Sequence, residues 1–353
     1  MMRASPVIAA PMRWRRAVLA SPSTSALSLV LAAICAVLAW RFLQWAIVEA
    51  HWQGTSSEAC ANGHGACWAF IAARWKPWLV GDYPSGELWR AWLSFAAFAL
   101  FALWVIRRSR VTGLGRVLAG FVLLPVALVL LLLGGGRLAF VPPTRWGGLL
   151  LTMIVTLLTF ASALPAGLCL VLGRRSRMPV VRWVCASFVE GMRSVPLLAV
   201  LFIAVTLLPM FLPRGTGIDL FSRAVIAFAL FNAALAAEVF RGGLQSVGRG
   251  QIEAAATVGL SDFAALRLVV LPQAVTAVVP ALVNVMISII KETTLLSVIG
   301  VDDLLAAVEN GAKSPDWMGD ANVLTSGYVF LALVYLGVCY ALSRYSRGLE
   351  MRR

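Results

Sequence analysis

An all-α, polytopic membrane protein is the fold class this sequence predicts, and three observations predict it. The chain is 60% hydrophobic and only 13% charged, with a mean hydropathy of +0.86. Soluble domains sit nearer about half apolar and about a quarter charged. Several apolar runs approach or exceed the ~20 residues with which a helix crosses a bilayer. Those runs are continuous and rich in Leu and Ala, whereas the strands of a membrane β-barrel alternate. Lipid offers the backbone no hydrogen-bond partner, so a spanning segment must satisfy its own N–H and C=O groups, as a helix does.

Hydropathy places about eight spans: Thr24–Val48, Ala91–Ile106, Val117–Leu133, Gly148–Leu172, Val184–Leu212, Ala224–Phe240, Ala274–Ile299 and Leu324–Leu342. The net charge of +14 would point to nucleic acid in a soluble protein, but its distribution argues otherwise. Arg3, Arg13, Arg15 and Arg16 precede the first span. Arg107, Arg108, Arg110 and Arg116 fill the second connection, and Arg174, Arg175, Arg177 and Arg182 the fourth. Arg241, Arg249 and Arg267 fall in the sixth, and Arg344, Arg347, Arg352 and Arg353 end the chain. The alternate connections hold fewer: Arg74, Lys76, Arg90, Arg137, Arg145, Arg214, Arg223 and Lys313. Basic residues favour the cytoplasmic side. Both termini are therefore expected in the cytoplasm, with lipid and not nucleic acid as the partner of this surface. The run Thr24–Val48 is too long for a signal-peptide core and no small-residue cleavage site follows it in the expected place, so an uncleaved first span is expected.

Pro142-Pro143 and Trp146-Gly147-Gly148 mark a boundary. Residues 1–143 form an N-terminal region of three spans with an outside loop at 49–90. Residues 144–346 form a second, five-span region, and 347–353 a cytoplasmic tail. The outside loop carries several Trp residues, which favour the headgroup region, and Cys60 and Cys67, the cysteines outside apolar runs. A disulfide is permitted in an oxidising compartment. Free thiols, or a metal on Cys60, His64 and Cys67, are the alternatives. Cys35, Cys169, Cys185 and Cys339 lie in or at the ends of apolar runs and are expected as buried thiols.

The most informative segment is Glu253–Pro272, a polar stretch on the expected inner side. Ile252-Glu253-Ala254-Ala255-Ala256, opened by Gly250-Gln251, is rich in helix formers. Gly259 permits a tight reversal. Ser261-Asp262 can cap a second helix, Phe263 to Val270, and Leu271-Pro272 is expected to end it and redirect the chain. The result is a compact helix-turn-helix finger. Its spacing, Glu-Ala-Ala with Gly at the sixth position after Glu253 and Leu-Pro beyond, resembles the EAA loop of permease subunits in binding-protein-dependent ABC importers. The flanks Ala237–Ser246 and Lys291–Gly300, with Trp146–Leu149 and Val189–Leu198, resemble the polar amino acid branch of that family, although Val195 stands where Thr is usual. The N-terminal spans and the Cys-containing loop are similar to general L-amino acid permease subunits.

The resemblance implies a five-helix type I importer core and an ATPase-coupling loop of Gly250, Gln251, Glu253, Ala254, Ala255, Gly259, Leu271 and Pro272. The implied partners are two ABC ATPase subunits, a second permease chain (a distinct one for preference, or a second copy) and a periplasmic amino acid-binding protein. ATP and Mg would be used by the ATPase, with no cofactor on this chain, in a bacterial inner membrane. The charges Glu190, Arg193, Glu238, Lys291 and Glu292 lie in or at the ends of spans, and Glu190, Arg193, Lys291 and Glu292, with Asn232 and Asn284 as neutral donors, are candidates for the substrate pathway. A zwitterionic amino acid needs an acidic contact for its ammonium and a basic or amide contact for its carboxylate, and charge in a span usually pairs or lines a cavity. Helix pairing and snorkelling are the competing explanation.

The sequence contains no G-x-x-x-x-G-K-[ST] phosphate loop and no H-E-x-x-H, and its two histidines share one loop. An intramembrane enzyme would need clustered acidic, His or Ser residues at one depth, which the pattern does not show. A proton-coupled secondary carrier or channel, using intramembrane carboxylates and no ATP, is the other alternative.

Overall fold

The computed structural model describes residues 22–61, 63–107, 114–211, 213 and 217–350. Arg3, Arg13, Arg15, Arg16, Arg108, Arg110, Arg214, Arg352 and Arg353, used above to orient the chain, lie outside them. The described residues are overwhelmingly helical, with isolated bridges and no strand. In chain order the helices are α1 (Pro22–Leu43), α2 (Glu58–Ala61), α3 (Trp68–Val80), α4 (Leu88–Arg107), α5 (Leu114–Leu133), α6 (Gly148–Arg174), α7 (Pro179–Ser194), α8 (Leu197–Phe202), α9 (Leu208–Phe211), α10 (Leu220–Ser246), α11 (Arg249–Thr257), α12 (Asp262–Ala265), α13 (Leu271–Glu292), α14 (Leu304–Ala312) and α15 (Ala321–Glu350). Among the described residues, six helical stretches are long and apolar enough to cross a membrane, or seven if one bent pair counts as a span. The apolar stretch Ala119–Leu133 is shorter. The eight expected spans thus all correspond to helices, but not all to simple ones.

The fifth differs most. Val184–Leu212 is not one rod: α7 and the helical run Leu197–Phe211 meet at 108°. The cause is local. Pro196 has no N–H to donate and restricts Val195 to extended backbone, which Val195 adopts at φ −106°, ψ 137°. The seventh expected span continues past α13 as a 3₁₀ stretch, Thr293–Ile299, closed by Gly300 in the left-handed region at φ +81°. The expected outside loop 49–90 is partly helical, since α3 and the 3₁₀ turn Ser85–Glu87 lie within it. Arg90, expected in that loop, sits inside α4, fully buried. Its guanidinium meets Glu87 at 2.9 Å and donates to the Ala139 carbonyl at 2.8 Å.

The chain divides into two compact units. The first takes in residues up to Ala73 together with Ser314–Ser326. Its α1 leaves Leu29 and Trp40 more than half exposed, an apolar surface of the kind that lipid covers. Cys60 and Cys67 form a disulfide with Cα atoms 5.8 Å apart. Around it, the Ser57 N–H donates to the Asp316 carbonyl at 2.7 Å, the Cys67 N–H to Ser326 Oγ at 2.7 Å, and Asn322 Nδ2 to the Gly63 carbonyl at 3.2 Å. The Phe70 and Trp317 rings pack 5.2 Å apart. Two segments distant in sequence are thereby knitted into one small body.

The second unit comprises Arg74–Lys313 and Gly327–Arg353, and α6 is its axis. Leu150, Leu151, Ile154, Val155 and Leu157 are all essentially inaccessible. Alongside it, α10 runs parallel. The two helices start together, with the Trp146 and Phe221 rings 5.5 Å apart, and Arg174 at the end of α6 meets Glu238 in the C-terminal part of α10. A side chain at Gly167 would collide with the α10 backbone at Ala233 and Ala237, so glycine permits this close approach.

Candidate functional site

The polar finger follows the end of α10. Gly248 precedes α11, and Gly250, Gln251, Glu253 and Ala254 are exposed on it while Ala255 is buried. Gly259 takes φ +79°. The Leu260 N–H reaches the Ala255 carbonyl at 3.1 Å, and the Gly259 N–H reaches that of Ala256 at 3.0 Å. This pair of bonds closes the helix end as a Schellman motif, which demands a left-handed residue and hence favours glycine. Ser261 Oγ then accepts from the Ala264 N–H at 3.3 Å, capping α12.

The exit departs from the sequence expectation. Pro272 does not end the second helix. A π-helical turn, Leu266–Val270, joins α12 to α13, and Pro272 lies in the first turn of α13. The wider turn has the Leu271 N–H donating to the Leu266 carbonyl. It thereby absorbs the donor that proline lacks and the crowding its ring would cause. The helical path from Asp262 continues unbroken to Ile299. Gln273 Nε2, which the motif spacing gave no reason to single out, donates to Gln251 Oε1 at 3.2 Å and to the Val269 carbonyl at 3.0 Å. It ties the two arms of the finger. Arg177 and Asp262 pair at 2.7 Å, both exposed, which contributes at most about 1 kcal/mol. The finger presents Val258 and Phe263 at 74% and 70% exposure, an apolar tip flanked by polar groups.

The candidate pathway residues separate into three environments. Glu190 and Arg193 join a charge cluster at the finger end of α6, α7 and α10. Arg174 meets Glu238 at 2.5 Å and Glu190 at 3.4 Å, Arg193 meets Glu238 at 3.6 Å, and Arg241 meets Glu238 at 2.7 Å. Three guanidiniums thus share two carboxylates. Arg174, Glu238 and Arg241 were visible in the sequence as charges, but their convergence needs the parallel packing of α6 and α10. Asn232 and Glu292 lie together inside the bundle. Asn232 is inaccessible, its Nδ2 donating to the Phe228 carbonyl at 3.0 Å. Asn284 and Lys291 are exposed.

The bundle also buries Thr152, Thr159, Thr293 and Asp303, with Tyr335 against Thr293 and Thr152. Thr152 Oγ1 accepts from the Leu304 N–H at 3.2 Å, and Asp303 Oδ1 caps α14 through the Ala306 N–H at 2.9 Å. Yet, among the described residues, Thr159 Oγ1, Asn232 Oδ1, Glu292 Oε2, Asp303 Oδ2 and Tyr335 Oη make no well-formed hydrogen bond. Buried polar atoms are rarely left so. Burial, partly offset by the capping N–H groups, pushes the Asp303 carboxyl up to about 6. Among the described residues, no group of three or more His, Cys, Asp or Glu is placed to hold a metal ion.

Comparison with known proteins agrees with this architecture. Over 327 residues the chain is 40% identical to the inner membrane amino-acid ABC transporter permease protein YhdY of Escherichia coli, covering 90% of this chain and 87% of that one. Over 345 residues it is 32% identical to the glutamate/glutamine/aspartate/asparagine transport system permease protein BztC of Rhodobacter capsulatus, covering 82% and 79%. A solved amino acid ABC transporter, crystallised with histidines, superposes with a TM-score of 0.52 at 31% identity, covering 57% of this chain and 90% of its own. Residues 163–352 match the family model for binding-protein-dependent transport system inner membrane components, and the chain belongs to that family.

Proposed function

We propose that the chain is the permease subunit of an ATP-driven importer of polar or general L-amino acids. The observation that carries this reading is the closed, exposed finger from Arg249 to Val270 between two bundle helices. Its Schellman closure and the Gln251–Gln273 bond make it a rigid lever. Gly250, Gln251, Glu253, Ala254 and Gly259 supply the surface for an ATPase subunit, buried Ala255 the packing beneath it, and Leu271-Pro272 the root. Because the helical path runs unbroken from Asp262 to Ile299, displacement of the finger passes into the bundle as rigid-body motion. ATP and Mg belong to the ATPase partner. The finger and both termini face the cytoplasm.

The pathway we assign runs by the unpartnered polar atoms of the bundle, Asn232 and Glu292 among them. They satisfy passing water or the polar groups of a zwitterion. Glu190 and Arg193 border the finger end of this route, and Lys291 and Asn284 are accessible groups on its helix. A periplasmic binding protein delivers the substrate. The core, residues 144–346, pairs with a second, distinct permease chain, and the N-terminal 1–143 is an addition to it.

The test uses the full complex, co-expressed with its chromosomal neighbours and reconstituted in liposomes with the binding protein. ATP hydrolysis is measured against a panel of amino acids. Stimulation by some and not others is expected. Hydrolysis indifferent to every amino acid would overturn the substrate class, and an ATPase that never co-purifies would overturn the coupling.

A further inference from the structure

A cleft of about 540 Å³ opens at the other end of the second unit, lined by Lys76, Asp82, Tyr83, Ser85 and Arg145 among others. Its position follows from the packing of α6. The cleft adjoins Gly147, immediately before α6, whereas the finger follows the end of α10, which runs parallel to α6. The cleft therefore lies at the end of the bundle remote from the finger.

It is a built feature. Gly81 takes φ +63°, and a side chain there would collide with the Gly147 backbone, so the α3–α4 turn is seated directly on the entry to α6. The Gly81 N–H donates to the Pro77 carbonyl at 2.7 Å. Tyr83 is buried, its hydroxyl donating to the Leu132 carbonyl at 2.8 Å, and it forms a wall. Lys76, Asp82 and Arg145 are exposed at the cleft, and among the described residues none of the three is in an ion pair. Two cations and one anion thus face a single opening without neutralising one another. Indoles on α3 and α4, the helices that flank the Gly81 turn, are also on the surface: Trp75, Trp89 and Trp92 are 52%, 48% and 40% exposed, and Trp75 and Trp92 pack with ring centroids 6.4 Å apart. Exposed tryptophans of this kind settle at the headgroup level of a bilayer.

We propose that this cleft binds the headgroup of phosphatidylethanolamine, with the phosphate on Lys76 and Arg145 and the primary ammonium on Asp82. The sign pattern selects that chemistry. A phosphodiester accepts from Lys and Arg. A headgroup that carries only negative charge, such as phosphatidylglycerol, leaves Asp82 facing an anion. A choline headgroup carries positive charge but no N–H to donate to a carboxylate. A phosphodiester headgroup with a protonated amine answers all three side chains, and the exposed indoles of α3 and α4 point to a lipid.

The experiment is native mass spectrometry of the full chain in mild detergent, titrated separately with short-chain phosphatidylethanolamine, phosphatidylcholine, phosphatidylglycerol and the soluble glycerophosphoethanolamine. Phosphatidylethanolamine should be retained roughly tenfold better than the other lipids, as the loss of one charge-assisted hydrogen bond would predict. Asp82→Asn should abolish that preference while phosphate lipids still bind, and Lys76→Gln with Arg145→Gln should remove retention of all three. These exposed positions leave the fold intact, checked by an unchanged unfolding temperature. Equal retention of the three lipids, or retention unaltered by the variants, would overturn the proposal. Glycerophosphoethanolamine binding as tightly as the lipid would overturn the lipid source in favour of a soluble phosphoester.

Discussion

Glu238 Oε1 lies 2.5 Å from Arg174 Nη1, and through this contact α6 and α10 are fastened at the end where the finger begins. Glu238 also receives Arg241 and Arg193, and its side chain is only 17% exposed, whereas that of Glu190 is 69% exposed. Removing the carboxylate of Glu238 leaves three guanidiniums facing one another with only Glu190 beside them. Glu238→Gln is expected to destabilise the purified protein by about 2 kcal/mol, because a partly buried cation loses its partner. Glu190→Gln should cost less than about 1 kcal/mol, as exposed pairs do. Unfolding temperatures in detergent decide this: equal effects of the two substitutions would show that Glu238 is not the hub.

Gly259 offers a sharper test of the finger. Its φ of +79° has open space around the site of a Cβ, so a substitution there is opposed by the backbone alone. Gly259→Ala should cost roughly 1 kcal/mol locally, too little to unfold the bundle, yet it biases the finger out of its closed shape. The expected outcome is normal yield and unfolding temperature with weakened co-purification of the ATPase. Glu253→Ala, on an exposed face, should weaken that association without any change of stability. Full association in both variants would remove the finger from the coupling path.

The hydropathy of the chain announced its helices, because lipid demands continuous apolar runs and the pattern is one-dimensional. The finger was also legible, since glycine at 259 and the Ser261 cap are local signals whose geometry depends on neighbours a few residues away. Pro272 was not: its effect depends on whether the helix can widen by a residue, and the π turn at Leu266–Val270 leaves no mark in composition. The bend at Pro196 was hidden because apolar stretches on either side of Glu190–Pro196 together reach the length of one span. Convergence of Arg174, Arg193 and Arg241 on Glu238, and of Thr152, Asp303 and Tyr335 in the bundle, arises from the packing of helices distant in sequence. No spacing rule reports such contacts.

The disulfide predicts a redox dependence confined to the first unit. Cys60 and Cys67 are seven apart in sequence and both inaccessible. Closing so short a loop stabilises by roughly 2–3 kcal/mol in the chain-entropy model. Cys60→Ser with Cys67→Ser should expose the segment 49–73 to proteolysis while the helices of the second unit stay protected. Identical digestion patterns before and after the substitutions would show that the hydrogen bonds of Ser57, Cys67 and Asn322 hold this body without the disulfide.

Asp303 gives the pH prediction, and its sign is opposite to that of a salt-bridged acid. Burial raises its carboxyl from 3.8 to about 6 in the folded protein. Between those values the folded state holds a proton that the unfolded state has released. Stability therefore falls as pH rises through this window and levels off above about 6. The whole change is roughly 3 kcal/mol for a shift of this size. Asp303→Asn keeps an acceptor for the Ala306 N–H at the start of α14 and removes the titration. The variant should lose the decline between about pH 4 and 6 and equal or exceed the parent in unfolding temperature at neutral pH. A parent whose unfolding temperature is level across this range, or an Asn variant that keeps the same slope, would show that Asp303 is solvated by water in the bundle rather than desolvated by it.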